Sequence, residues 1–142
     1  TSDIVGSTMA DFEHVMNVNL WSAVELMKLV IPDMKKNKWG RIVNIGSSSS
    51  YSGFKNGTLY SSSKHGILGL SRSLSSELKD YNVRVFCISP SSTQTDMAKT
   101  STDQDFKTFL NPKEVAEFVI FTISFDSEMI VDEIRLNRMI MK

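Results

Sequence analysis

An α/β fold built on a parallel sheet is predicted, on two observations. Segments whose apolar residues recur at helical spacing alternate with short β-branched segments, in the order helix, strand, helix, strand, helix, strand. Glycine, proline, serine and asparagine punctuate the junctions between them. That order argues for parallel strands joined by right-handed crossovers.

The first helix is expected to begin at Thr8, a hydroxyl followed three residues later by the Asp11 carboxylate, which is a capping-box pattern. A broad apolar stripe then runs through Phe12, Val15, Met16, Val18, Leu20, Val24, Leu26, Met27, Val30, Ile31 and Met34, so the helix should end near Lys36, with Pro32 bending its last turns. Gly40 closes a basic stretch, and residues 41–45 read as a short strand. Residues 46–57 are mostly Ser, Gly, Tyr and Asn, a loop. Residues 60–79 carry helical spacing at Ile67, Leu68, Leu70, Leu74 and Leu78. A second strand follows at 83–89, stopped by Pro90. The polar stretch 91–104, with only Met97 and Ala98 apolar, is expected to move. Asn111 and Pro112 look like the cap and first turn of a helix running through Val115, Ala116, Phe118, Val119, Phe121 and Ile123, and residues 129–136 form the last strand. Three strands are few for such a sheet, and no strand precedes the first helix. The chain therefore reads as a single portion, 1–142, of a doubly wound domain whose first strand has an edge to be covered.

Sixteen basic and sixteen acidic side chains cancel across 142 residues, which argues against nucleic acid or an anionic membrane as partner. Small-molecule chemistry is the class left open. Cys87 is the one cysteine, set in an apolar strand, and reads as core packing. No apolar run approaches the ~18 residues a membrane span needs, so a cytoplasmic location is expected. His14 and His65 have no second ligand type at metal spacing, and no metal is expected. Asn44, between apolar strand neighbours, reads as a structural hydrogen-bonding residue.

In doubly wound sheets ligands bind beyond the carboxyl ends of the strands, which directs attention to the loop after Ile45 and the segment after Ser89. That loop holds Ser47; Tyr60 follows thirteen residues on and Lys64 four residues after it, one helical turn along the same face. A free tyrosine has a pKa of about 10, too high for efficient proton transfer near neutrality. A lysine ammonium and the positive end of a helix favour the phenolate, each unit of lowering needing about 1.4 kcal/mol. Tyr60 would then pass its proton to a carbonyl oxygen as hydride arrives, with Ser47 bonded to the same oxygen.

These residues sit in a wider pattern. Val18-Asn19-Leu20, Gly40-Arg41-Ile42-Val43-Asn44-Ile45-Gly46-Ser47, Tyr60-Ser61-Ser62-Ser63-Lys64, Ser71-Arg72-Ser73-Leu74-Ser75-Ser76-Glu77-Leu78 with Val83-Arg84-Val85, and Val131-Asp132-Glu133-Ile134-Arg135-Leu136 follow one another at fixed distances. Together they resemble the carboxyl-terminal, catalytic half of a short-chain dehydrogenase/reductase, in particular the 3-oxoacyl reductases. The resemblance implies a Rossmann-like fold, NAD or NADP as cofactor, and hydride transfer between nicotinamide and a carbonyl or secondary alcohol. It implies Asn19, Ser47, Tyr60 and Lys64 as a catalytic tetrad, with Asn19 at a distortion of its helix. Tyr60, Lys64, Pro90, Thr93 and Thr95 would meet the nicotinamide end of the cofactor, and a homodimer or homotetramer would form through the two long helices. Two departures stand out. Ser91 replaces the family's glycine, and a positive φ there would cost ~1 kcal/mol. The glycine-rich turn that cradles the diphosphate is not in this sequence, so the dinucleotide-binding half is expected outside it. The rival reading is a non-catalytic fragment or oligomerisation scaffold.

Overall fold

The computed structural model describes residues 3–100 and 104–139. The Thr8 hydroxyl accepts from the Asp11 N–H at 3.1 Å and the Asp11 carboxylate accepts from the Thr8 N–H at 2.9 Å, the box expected from their spacing. Helix α1 (Met9–Met16) passes through a π-helical turn, Asn17–Trp21, and continues as α2 (Ser22–Asn37). Pro32 lies within α2 without ending it, and Lys38 turns the chain out at φ 50°.

Strands β1 (Gly40–Ile45), β2 (Val83–Pro90) and β3 (Glu133–Leu136) form one parallel sheet in the order β1-β2-β3, with Gly40 beside Val83 and Cys87 beside Glu133. Helix α3 (Thr58–Leu78) joins β1 to β2, and α4 (Pro112–Ile123) joins β2 to β3. Asn111 caps α4 by accepting from Lys113 N–H at 2.9 Å. Pro90 belongs to β2 and pairs with Leu136; with no N–H of its own it is the last rung, and Ser91 N–H then bonds Leu136 O at 2.8 Å. The last strand begins at Glu133, not at residue 129. Met129, Ile130 and Val131 are exposed, and the Met129 carbonyl accepts from the Arg84 guanidinium at 2.8 Å instead of joining a ladder. A short 3₁₀ turn, Ser48–Ser50, interrupts the loop expected at 46–57. Within the stretch expected to move, 97–100 form another, and residues 101–103 lie outside the described residues.

The two faces of the sheet are covered differently. Ile42, Val83 and Val85 pack with Met27 of α2 and Leu78 of α3, and Cys87 packs with Ile67 and Leu68 of α3. Alternation sends Arg84, Phe86 and Ile88 to the other face. There Phe86 and Ile88 are 1% and 0% exposed, and Arg84 also donates to the carbonyls of Phe125 and Ser127, just past α4, while Arg41 pairs with Asp126. The end of α4 therefore lies opposite α2 and α3, as a doubly wound sheet requires. Because both steps across the sheet run the same way, helices on opposite faces give crossovers of opposite hand. The expectation of right-handed connections throughout does not hold.

Glu133 ties three elements together. Its carboxylate accepts two hydrogen bonds from Arg72 of α3, both 2.8 Å, and one of 2.9 Å from the Tyr51 hydroxyl in the loop after β1. The Arg72 guanidinium holds Glu133 below the usual carboxylate range. Burial, and then the Glu133 charge, push Tyr51 up to about 12. A lowered carboxylate contributes stability that is complete above the ordinary glutamate value of about 4.3 and is lost as pH falls through the folded-state value. Glu133→Gln is expected to cost about 1 kcal/mol at neutral pH, since Arg72 is largely exposed. Urea melts of both proteins from pH 7 down to pH 3 should show that deficit shrinking on acidification.

Candidate active site

The π turn points Asn19 at the start of α3. Its Nδ2 donates to Ser63 Oγ at 3.0 Å, and Ser63 Oγ donates to the Tyr60 carbonyl at 2.7 Å. Ser63 is fully buried, so the amide of Asn19 holds the helix turn that carries Tyr60. Tyr60 is the third residue of α3, whose N-cap is Gly57. A Cβ at Gly57 would fall 2.4 Å from the Phe54 ring; its absence lets that ring sit edge-on to Tyr60 at 6.4 Å between centroids.

Ser47 leaves β1 as the cap of the Ser48–Ser50 turn. Its Oγ accepts from Ser49 N–H at 3.1 Å, which leaves its own hydrogen available to donate. Gly46, just before it, is buried where a Cβ would lie 2.3 Å from Ser89 Oγ, so only glycine lets the end of β1 approach β2 so closely. Lys64 lies over the Tyr60 ring, its Nζ 5.8 Å from the centroid, and donates to the Ile45 carbonyl at 2.9 Å. Burial pulls the Lys64 ammonium below its ordinary value. The same burial pushes the Cys87 thiol up, as suits a packed and unreactive sulfur.

Ser47, Tyr60, Lys64, Pro90, Thr93 and Thr95 all line one cleft of about 1000 Å³ beyond the carboxyl ends of β1 and β2. Asn19 is not on its wall and reaches it only through Ser63. The apolar part of the lining includes Phe109 and, from α4, Val115, Val119 and Ile120. Among the described residues no protein group bonds the Tyr60 hydroxyl. Asn44 is buried and donates to Ser71 Oγ at 2.9 Å, a structural link as its strand setting suggested. His65 is engaged with the Ser61 carbonyl at 2.9 Å. Among the described residues no helix is long and apolar enough to cross a membrane.

Comparison with known proteins gives this arrangement its context. The family model described as short chain dehydrogenase matches residues 3–105. The chain belongs to the short-chain dehydrogenase family. It is 33% identical over 136 residues to the 3-oxoacyl-(acyl-carrier-protein) reductase FabG of Aquifex aeolicus, covering 89% of this chain and 55% of that protein. The carbonyl reductase family member 4 of Xenopus tropicalis is 33% identical over 120 residues, 80% of this chain and 50% of the relative. Among solved structures, a 4-hydroxyisoleucine dehydrogenase complexed with NADH superposes with a TM-score of 0.84 at 25% identity, over 96% of this chain and 62% of that one. The fold is also that of ElxO with NADP bound, with a TM-score of 0.85 at 23% identity, over 97% of this chain and 60% of that one. The chain spans about half the length of the curated relatives it matches.

Within this short-chain dehydrogenase, Ser91 needs no special backbone. The positive-φ residues among those described are Lys38, Asn56 and Asn82, so the cost expected of a serine there is not incurred. Two features escaped the sequence reading. Ser63 lay inside a quoted motif, but its link to Asn19 spans 44 positions and has no local signal. Val115 and Val119 were read as helix spacing alone and Ile120 was not singled out, because periodicity does not tell a core-facing stripe from one facing a cleft.

Proposed function

We propose that this chain supplies the catalytic and substrate side of an NAD(P)-dependent oxidoreductase that interconverts a carbonyl compound and a secondary alcohol. The carrying observation is the convergence of Ser47, Tyr60 and Lys64, from the end of β1 and the first turns of α3, on one cleft with a partly apolar lining. The reading also takes the dinucleotide-binding half of the domain to lie outside these 142 residues, consistent with the share of the relatives that is matched.

The residues fit the nicotinamide end of such a cofactor. Ser91 Oγ is buried on the cleft wall without a partner among the described residues. Thr93 Oγ1 donates to the Ser91 carbonyl at 2.9 Å and keeps lone pairs to accept; Thr95 Oγ1 accepts from Ala98 N–H at 3.3 Å and keeps a hydrogen to donate. One acceptor and one donor are what a primary carboxamide needs. When bound, the dinucleotide, NAD or NADP, supplies or takes up the hydride. Lys64, Pro90, Thr93 and Thr95 would hold its nicotinamide and ribose. Tyr60 then gives its hydroxyl proton to the carbonyl oxygen on reduction, and Ser47 donates to the same oxygen. The Lys64 ammonium has two N–H groups left after its bond to Ile45, one for the cofactor ribose and one toward Tyr60. Asn19 positions that turn through Ser63. The protein is read as a cytoplasmic homodimer or homotetramer; Val18 and Trp21 of the π turn and Leu26 and Leu29 of α2 leave exposed apolar side chains that a second subunit could cover.

The expected result with the complete polypeptide that carries this chain is quenching or enhancement of reduced-cofactor fluorescence on binding, followed by its oxidation when a ketone, keto-ester or acyl thioester is added. Binding without oxidation by any carbonyl would favour the scaffold reading. Absence of both would end the oxidoreductase proposal.

A further inference from the structure

The tail beyond β3 reaches back to the cleft without lining it. Arg138 donates from Nη2 to Gln104 Oε1 at 2.8 Å and from Nη1 to Thr108 Oγ1 at 3.3 Å, and its guanidinium lies 5.0 Å from the Phe109 ring centroid. Its acceptors are oriented for it. Thr108 spends its hydroxyl hydrogen on the Asp105 carbonyl, leaving its lone pairs for Arg138, and Gln104 Oε1 takes a second bond from Ser92 at 3.2 Å. Gln104, Phe109 and Ser92 all line the cleft, whereas Arg138 does not. One planar cation thus ties Gln104 to Thr108 and stacks on Phe109, an aromatic residue lining the same cleft as the reacting side chains.

We propose that Arg138 is a positioning residue that fixes the Phe109 wall of the cleft and thereby sets its preference for the alkyl portion of a carbonyl substrate. The inference rests on the oxidoreductase reading above. The reacting end is held by separate bonds, Lys64 to Ile45, Ser47 to Ser49 and Ser63 to Tyr60, none of which involves the tail. Loosening the Phe109 wall should therefore weaken binding of a long alkyl chain and leave the chemical step in place.

Two measurements on the complete polypeptide test this. With reduced cofactor, Arg138→Ala should raise KM for ethyl 3-oxooctanoate about tenfold while changing KM for ethyl 3-oxobutanoate and both kcat values less than about twofold, and Arg138→Lys should recover part of the loss. Without cofactor or substrate, hydrogen exchange at the Thr108, Phe109 and Leu110 amides should accelerate in Arg138→Ala. An unaltered ratio of the two KM values overturns the proposal, even if exchange or melting temperature changes, because the tail would then be structural only. Unaltered exchange overturns it as well. A wild type that oxidises no reduced cofactor with any carbonyl sinks the oxidoreductase reading instead, and the exchange comparison alone then decides whether Arg138 holds the wall.

Discussion

Tyr60→Phe is expected to lower kcat for carbonyl reduction by about 10²–10⁴ while leaving the dissociation constant of the reduced cofactor nearly unchanged. The substitution removes one oxygen. The ring keeps its edge contact with Phe54 and its place beneath the Lys64 ammonium, so the start of α3 and the cleft should retain their shape. The Ser63 bond goes to the Tyr60 backbone carbonyl and survives any change of side chain. What is lost is the proton delivered to the substrate oxygen, and Ser47, left as a lone neutral donor, cannot replace it. Stopped-flow turnover beside a fluorescence titration separates the two effects. Turnover close to wild type would remove Tyr60 as the acid and leave the convergence of the three side chains without a chemical role.

Phe86→Ala should produce the largest loss of stability, about 3–5 kcal/mol in urea melts of the complete polypeptide. Phe86 is 1% exposed at the middle of the central strand, flanked by Val43 of β1. Its face is the one that Arg84 and Arg41 tie to the turn after α4. Truncation there leaves a cavity that neither the paired strand β1 nor the anchored turn can collapse to fill. A loss below about 1 kcal/mol would mean that α4 does not seal this face, and the assignment of helices to opposite sides of the sheet would fall with it.

Much of the fold was legible because its signals are local. Thr8 and Asp11 stand three residues apart, Asn111 directly precedes Pro112, and the Val83–Pro90 strand is a run of β-branched and apolar residues; each specifies its own backbone with groups a turn away. Tyr60 and Lys64 belong to the same class, since a spacing of four on a helix is a statement about distance. The beginning of the last strand was misjudged for the opposite reason. Residues 129–131 have strand-like composition, yet Arg84, 45 positions earlier, takes the Met129 carbonyl before a ladder can.

The sequence by itself determined the order of helices and strands, the capped helix starts, and the serine, tyrosine and lysine that reach the cleft, because helical and strand periods and capping bonds are set by neighbours. The tertiary structure alone decided that Asn19 would hold Ser63 across 44 positions, that Glu133 would gather Arg72 and Tyr51 across 61 and 82, that Arg84 and Arg41 would tie the turn after α4 to the face opposite α3, and that Arg138 would stack on Phe109. Such contacts join segments whose approach costs loop-closure entropy and is repaid only by the packing of the whole sheet, so no window of the chain contains their signature.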